Sequence, residues 1–230
     1  MAPTGDAVKD WVWSNTSNVH VANNREWFTI YTPFSTNIGS IMTLDTSKAE
    51  GVGTVELDMH LEPDTGTGET KTHKLILHDV LYAPHHICNI FASSEVPNLE
   101  IKARGKSVPA GRLEDDTTGQ CIGHLDLVTL YKLWLVGQPA GQSSLDPTGH
   151  YVINAYWPGV DRRAWQLHNI ATDDEPYTKK EKAWLKKHWE DEWHFVVSHG
   201  GKMYDEENRR KARTQVRTTM VHERVAAMYR

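Results

Sequence analysis

Gly51-Val-Gly-Thr-Val-Glu-Leu-Asp-Met-His-Leu61 decides the fold. From Val55 onward, Val55, Leu57, Met59 and Leu61 fall on one side, and Glu56, Asp58 and His60 on the other. A period of two is that of a strand with one buried face. Pro63-Asp-Thr-Gly-Thr-Gly-Glu69 follows and reads as a hairpin tip, and Leu75 to Tyr82 reads as the returning strand. Further short strands are expected at Asp10–Ser14, Leu99–Ala103, Cys121–Leu127 and Leu130–Val136, with Gly, Pro or Asp/Thr clusters between them. Many short strands so spaced predict a barrel or sandwich.

The pattern changes after Gly137-Gln-Pro-Ala-Gly-Gln-Ser-Ser-Leu-Asp-Pro-Thr-Gly149, which reads as a linker. Beyond it the periodicity becomes helical. Thr178-Lys-Lys-Glu181 is a capping-box signature, so a helix should start at Lys179. A last helix should run from about Asp205, with Ala212, Val216, Met220, Val221, Val225 and Met228 as its apolar stripe. Arg209, Arg210, Arg213 and Arg217 fall largely off that stripe and are expected in water. The expected organisation is a disordered tail at 1–9, a β domain at 10–136, a linker at 137–149, and a mainly helical region at 150–230 packed on the β domain.

Composition narrows the function. The 230 residues are 39% hydrophobic, enough for a sizeable core, and hold only Cys88 and Cys121. Met1 to Lys9 has no apolar signal core, and no run of about 18 apolar residues exists. The expectation is therefore a cytoplasmic protein with free thiols and no membrane contact. The net charge of −5 is uneven. Residues 1–160 hold 10 Lys+Arg against 18 Asp+Glu, whereas 208–230 hold 7 basic residues against one acidic. A basic end on an acidic body suits either a nucleic-acid partner or a solvated helix face.

Trp11-Val-Trp-Ser-Asn-Thr-Ser-Asn-Val-His-Val-Ala-Asn-Asn-Arg-Glu-Trp-Phe28 resembles the start of the protease barrel of Copia-type retrotransposon polyproteins. The Gly51–Leu57 strand, and His78-Asp-Val-Leu-Tyr-Ala-Pro84 with Asn89-Ile90, resemble two further blocks of that family. The resemblance covers roughly Trp11 to Ser94. It implies an α+β fold in which a retropepsin-like closed β-barrel precedes a helical C-terminal region. Ser14 stands at the position of the family's catalytic aspartate, and Thr16 replaces its glycine. An aspartic protease needs two carboxylates sharing a proton, so the activity is expected to be lost. Asp64-Thr-Gly66 spells the motif but sits at a hairpin tip with no apolar strand leading into it.

Tyr151-x-x-Asn-Ala-x-Trp-Pro158 and the His199-Gly200 stop resemble a fungal family of stand-alone proteins derived from such barrels. By size, type and basic tail, the chain is also similar to fungal arginine-containing cyclodipeptide synthases. Those join arginine to a second amino acid using aminoacyl-tRNAs and no cofactor. On that resemblance the partners are arginyl-tRNA and a second aminoacyl-tRNA. Ser14, Ser17, His20 and Cys88 are the candidates for acyl transfer or proton abstraction. Glu56, Asp58 and Asp79 are candidates to pair with a guanidinium, because a carboxylate matches its fork. Lys186, Lys187, Arg209, Arg210, Lys211 and Arg213 are candidates for tRNA phosphates, with Lys179, Lys180, Lys182 and Arg217 beside them. Each has a bland alternative: turn hydrogen bonds for the hydroxyls, packing for Cys88, solvated faces for the charges. His85, His86 and Cys88, and His188, His194 and His199, lack zinc-ligand spacing, so no metal is expected. The alternative reading is a catalytically inactive, protease-derived binding module. Oligomeric state stays open.

Overall fold

In the computed structural model, the alternation read at 55–61 is a strand whose Val55, Leu57 and Met59 are buried, while Asp58 is exposed. The structure describes residues 9–42, 45–61, 71–138, 141–172 and 175–228. The tail at 1–8 and the Pro63–Glu69 tip, with its Asp64-Thr-Gly66, lie outside them.

The strands are β1 (Trp11–Ser14), β2 (Val21–Ala22), β3 (Phe28–Gly39), β4 (Thr46–His60), β5 (Thr72–Tyr82), β6 (Asn89–Ala92), β7 (Leu99–Ala103), β8 (Gly111–Asp115), β9 (Cys121–Leu127) and β10 (Tyr131–Leu133). They form one sheet in the order β3-β4-β5-β2-β6-β1-β10-β9-β8-β7. Most pairs are antiparallel, but β1 runs parallel to β6, and β2 parallel to β5. The core gathers Trp11, Trp27, Val55, Leu57, Met59, Leu77, Phe91, Leu113, Leu125 and Leu133.

The chain is α+β as expected, but the sheet does not close. It has two edges, β3 and β7. The amide of His60 donates to the carbonyl of Trp134, and that of Val136 to the carbonyl of Asp58, around an isolated Met59–Leu135 bridge. The sheet thus bends far enough for the end of β4 to reach the chain after β10, without a continuous ladder. Tight packing inside this bend is visible at Gly123, where a Cβ would lie 2.5 Å from the Met59 methyl.

Four helices follow: α1 (Gly159–Thr172), α2 (Lys179–Trp189), α3 (Glu192–Ser198) and α4 (Glu206–Met228). Thr178 caps α2, its hydroxyl accepting from the Glu181 amide while the Glu181 carboxylate accepts from the Thr178 amide. Tyr177, Leu185, Phe195, Val196, Ala212 and Val216 form a second core. The chain divides into two compact units, Met1–Pro158 and Gly159–Arg230. The described residues of the 137–149 stretch are tied to the first unit. Asp10 Oδ2 accepts from Ser143 Oγ at 2.6 Å, from the Ser144 amide at 2.8 Å and from Ser144 Oγ at 3.0 Å, and Asp126 Oδ2 accepts from the Gly141 amide at 2.8 Å. Between those carboxylates lies the buried Lys132, 3.3 Å from Asp10 and 3.9 Å from Asp126.

Candidate functional site at the loop after the first strand

Strand β1 delivers Ser14 to the start of a loop in which Ser14 and Ser17 are buried and Asn15 and Thr16 exposed, and residues 153–157 lie against that loop. Ser14 Oγ sits 2.7 Å from Ser17 Oγ, accepts from the Ser17 amide and donates to the carbonyl of Ile153. Ser17 Oγ accepts from the Ala155 amide at 2.8 Å. The Asn18 side chain bonds Trp157 twice, its Oδ1 accepting from the Trp157 amide at 2.6 Å and its Nδ2 donating to the Trp157 carbonyl at 3.1 Å. The Asn18 amide donates to the Ala155 carbonyl. Asn154 Nδ2 donates to the Thr16 carbonyl at 2.8 Å, and Asn154 Oδ1 accepts from the Ile41 amide. Trp157 is fully buried, with its Nε1 donating to Thr36 Oγ1, and Tyr156 bridges Gly39 at the end of β3.

Ser14, Thr16, Ser17 and Asn18 thus each meet a partner on 153–157, while the Asn15 side chain is exposed. Ser14 and Ser17 are 5% and 2% exposed. His20 is 2% exposed and stacks on Phe91, and its Nδ1 accepts from the Ala92 amide at 3.1 Å. That nitrogen is committed to the sheet and is not a free base.

Two of the three carboxylates proposed for a guanidinium, Glu56 and Asp58, lie elsewhere. Three strands, β5, β2 and β6, separate β4 from β1 in the sheet order. Glu56 and Asp58 share Lys74, at 2.9 and 3.3 Å, across the β4–β5 pair. Asp79 sits where the β4–β5 register shifts, at φ +52°, a left-handed conformation that Asp tolerates better than most residues. Glu56 and Asp58 are therefore not gathered with Ser14 and Ser17, whereas Asp79 lies two residues before Leu81, whose amide donates to the His20 carbonyl. Cys88 is buried, and burial, aided by the charge of Asp10, pushes its thiol up to about 12. At neutral pH it is a thiol, not the thiolate that attacks.

This sheet carries the comparison with known proteins. Residues 11–100 match the Pol polyprotein, beta-barrel domain. No curated protein and no solved structure gives a match. The match supports a Pol-derived barrel domain over strands β1 to β6, the part that holds the loop. The match ends at residue 100, so 153–157, which lie against that loop, fall outside the matched residues.

The basic side chains lie in the second unit and divide sharply. Arg213 and Arg217, expected in water, are 5% and 6% exposed. Arg217 Nε donates to Glu181 at 2.9 Å and its Nη2 to the Glu175 carbonyl at 2.7 Å, while Arg213 pairs with Glu206 at 2.9 Å. Burial opposes ionisation of Glu181, but Arg217 and the Thr178 amide outweigh it and hold the carboxyl below its usual range. Arg209 pairs with Glu206 and lies 3.6 Å from Glu192, and Arg210 and Lys211 both reach Glu207. Most of the α4 charge counted in the sequence is therefore matched by acids. By contrast, Lys179, Lys180, Lys182, Lys186 and Lys187 of α2 are all exposed.

Among the described residues, no group of three or more His, Cys, Asp or Glu side chains could hold a metal ion, and no helix is long and apolar enough to cross a membrane. Reading the sequence missed Asp10, Lys132 and Asp126 as a buried cluster. It also missed the use of Asn18, Asn154 and Trp157. The pattern from Tyr151 to Pro158 was a signal, but its partner lay about 138 residues away in the chain.

Proposed function

We propose that the chain is a non-catalytic binding module built on a Pol-derived beta-barrel domain. The observation that carries this reading is the occupation of the 14–18 loop by residues 153–157. In a protease that loop must face substrate and a second carboxylate. Here the hydroxyls of Ser14, Thr16 and Ser17 and the side-chain amide of Asn18 are each turned to a neighbour in the same chain. A site for chemistry leaves its reactive groups open to a reactant, whereas a structural joint satisfies them. The experiment is a turnover assay on the purified full chain, first with a peptide library and then with charged tRNA. The expected result is no product in either. A peptide cleaved at a rate abolished by Ser14→Ala would sink the reading.

A second reading is a tRNA-dependent synthase that condenses arginine and another amino acid into a diketopiperazine. What favours it is the exposed lysine face of α2, which suits the acceptor stem of a tRNA. It asks for an anionic guanidinium site, and Glu56, Asp58 and Asp79 would have to supply it from separate places on β4 and β5. Expression in a heterologous host, with extraction for arginine-containing diketopiperazines, separates the readings. Product in the extract that is lost in the Glu56→Gln/Asp58→Asn variant would favour the synthase.

A further inference from the structure

We infer that the lysine face of α2 is a contact surface for the phosphate backbone of a double-stranded nucleic acid. The inference rests on the binding-module reading and names its partner. At 3.6 residues per turn, Lys179, Lys180, Lys182, Lys186 and Lys187 fall within an arc of about 160°. The other member of that arc is Ala183. The one acid within the helix, Glu181, lies on the far side and is bound to Thr178 and Arg217. None of the five lysines has an ion pair among the described residues. Nearby acids at the end of the helix are engaged too, since Glu190 and Asp191 both approach His194.

Four partners would answer to five exposed positive charges, and the composition of the arc chooses between them. An amphipathic helix binds a membrane through its apolar face. The apolar side of α2 is already turned inward, with Leu185 3% exposed in the second core and Trp184 packed against it. A protein interface draws its binding energy from aromatic and arginine anchors and is depleted in lysine. No aromatic or arginine lies on this arc. Single-stranded nucleic acid is held by exposed aromatic platforms. Trp184 is stacked on His188 and its Nε1 is bound to Glu223, and Trp189 packs edge-on against Phe195. What remains is a duplex backbone met by point charges, a contact that positions without reading sequence. From Lys179 to Lys187 the helix rises about 12 Å. A duplex presents about seven charges over that length, at one per roughly 1.7 Å.

The test is fluorescence anisotropy of the full chain with a labelled 24-base-pair RNA duplex of arbitrary sequence. Poly-glutamate and phosphatidylserine vesicles serve as parallel probes. With three phosphates neutralised, raising KCl from 50 to 200 mM should weaken duplex binding about 40-fold. Changing all five lysines to Ala should weaken it at least tenfold at 50 mM and flatten the salt dependence. Arg210→Ala/Lys211→Ala should leave it within twofold. Circular dichroism checks the fold of each variant, and Lys182→Gln/Lys186→Gln, a milder change, should weaken binding severalfold if the five-fold variant unfolds. The inference is overturned by no duplex binding, by lysine variants that bind like the parent, or by tighter binding to poly-glutamate or vesicles than to the duplex. Absence of duplex binding leaves the binding-module reading standing. That reading falls only if the protein turns over peptide or tRNA.

Discussion

Ser17 accepts a hydrogen bond from Ala155 and shares a second with Ser14, so its hydroxyl is a structural tie. Ser17→Ala leaves the Ala155 amide buried without an acceptor and should cost about 1–3 kcal/mol, read as a lower urea midpoint with unchanged slope. A stability equal to that of the parent protein would remove the tie. Cys88, with its thiol pushed up to about 12 by burial, should resist iodoacetamide at pH 8 in the native protein and react on unfolding. Native labelling at the rate of a free thiol would contradict its burial. Asp10 is a third case. Burial raises its pKa, but hydrogen bonds from Ser143 and Ser144 and the charge of Lys132 more than offset this, so the net shift is downward. A carboxyl lowered by folding adds stability that is complete above its unfolded value, about pH 4, and is lost as pH falls through the folded value. The parent protein should therefore lose stability below about pH 4 more steeply than Asp10→Asn, which should be weaker at pH 7 because Lys132 loses its nearest charge.

Among the elements, α4 holds two kinds of arginine that look alike in sequence. Arg217→Ala removes a buried guanidinium from Glu181 and from the carbonyl of Glu175, and should cost roughly 3–5 kcal/mol. Lys211→Ala, on an exposed pair with Glu207, should change stability by less than about 0.5 kcal/mol. Equal losses in chemical denaturation would contradict the burial difference. Local patterns of this sort were legible where the cause was local. The Val55–Leu57–Met59 alternation and the Thr178–Glu181 cap are set by neighbours within a few residues, and both stand as read. The burial of Arg213 and Arg217 was not legible. Helical spacing tells which residues share a face, but not that Glu181, 36 residues earlier, would draw Arg217 inward. The Gly/Pro/Ser stretch at 137–149 shows the same limit. Its composition says turn-rich, while Asp10, more than 130 residues away, fixes its described residues in place.

At the scale of the whole chain, the Pol-like segment supplies strands β1 to β6, and the residues after it supply the rest of the sheet and what covers the loop. That position 14 carries a hydroxyl and no carboxylate was readable in the sequence, because one position decides it. What the loop bonds to was not, because Asn154, Ala155 and Trp157 acquire meaning only once the sheet brings the loop to them. Trp157→Ala should open a cavity beneath β3 and cost about 3–5 kcal/mol by thermal or urea unfolding. A loss under 1 kcal/mol would argue that the joint is loose. A segment covalently joined to the loop it covers has a fixed local concentration, set by the intervening chain and not by the amount of protein in solution. Dilution from micromolar to picomolar therefore leaves that joint filled, whereas a loop supplied by a separate molecule would drift away.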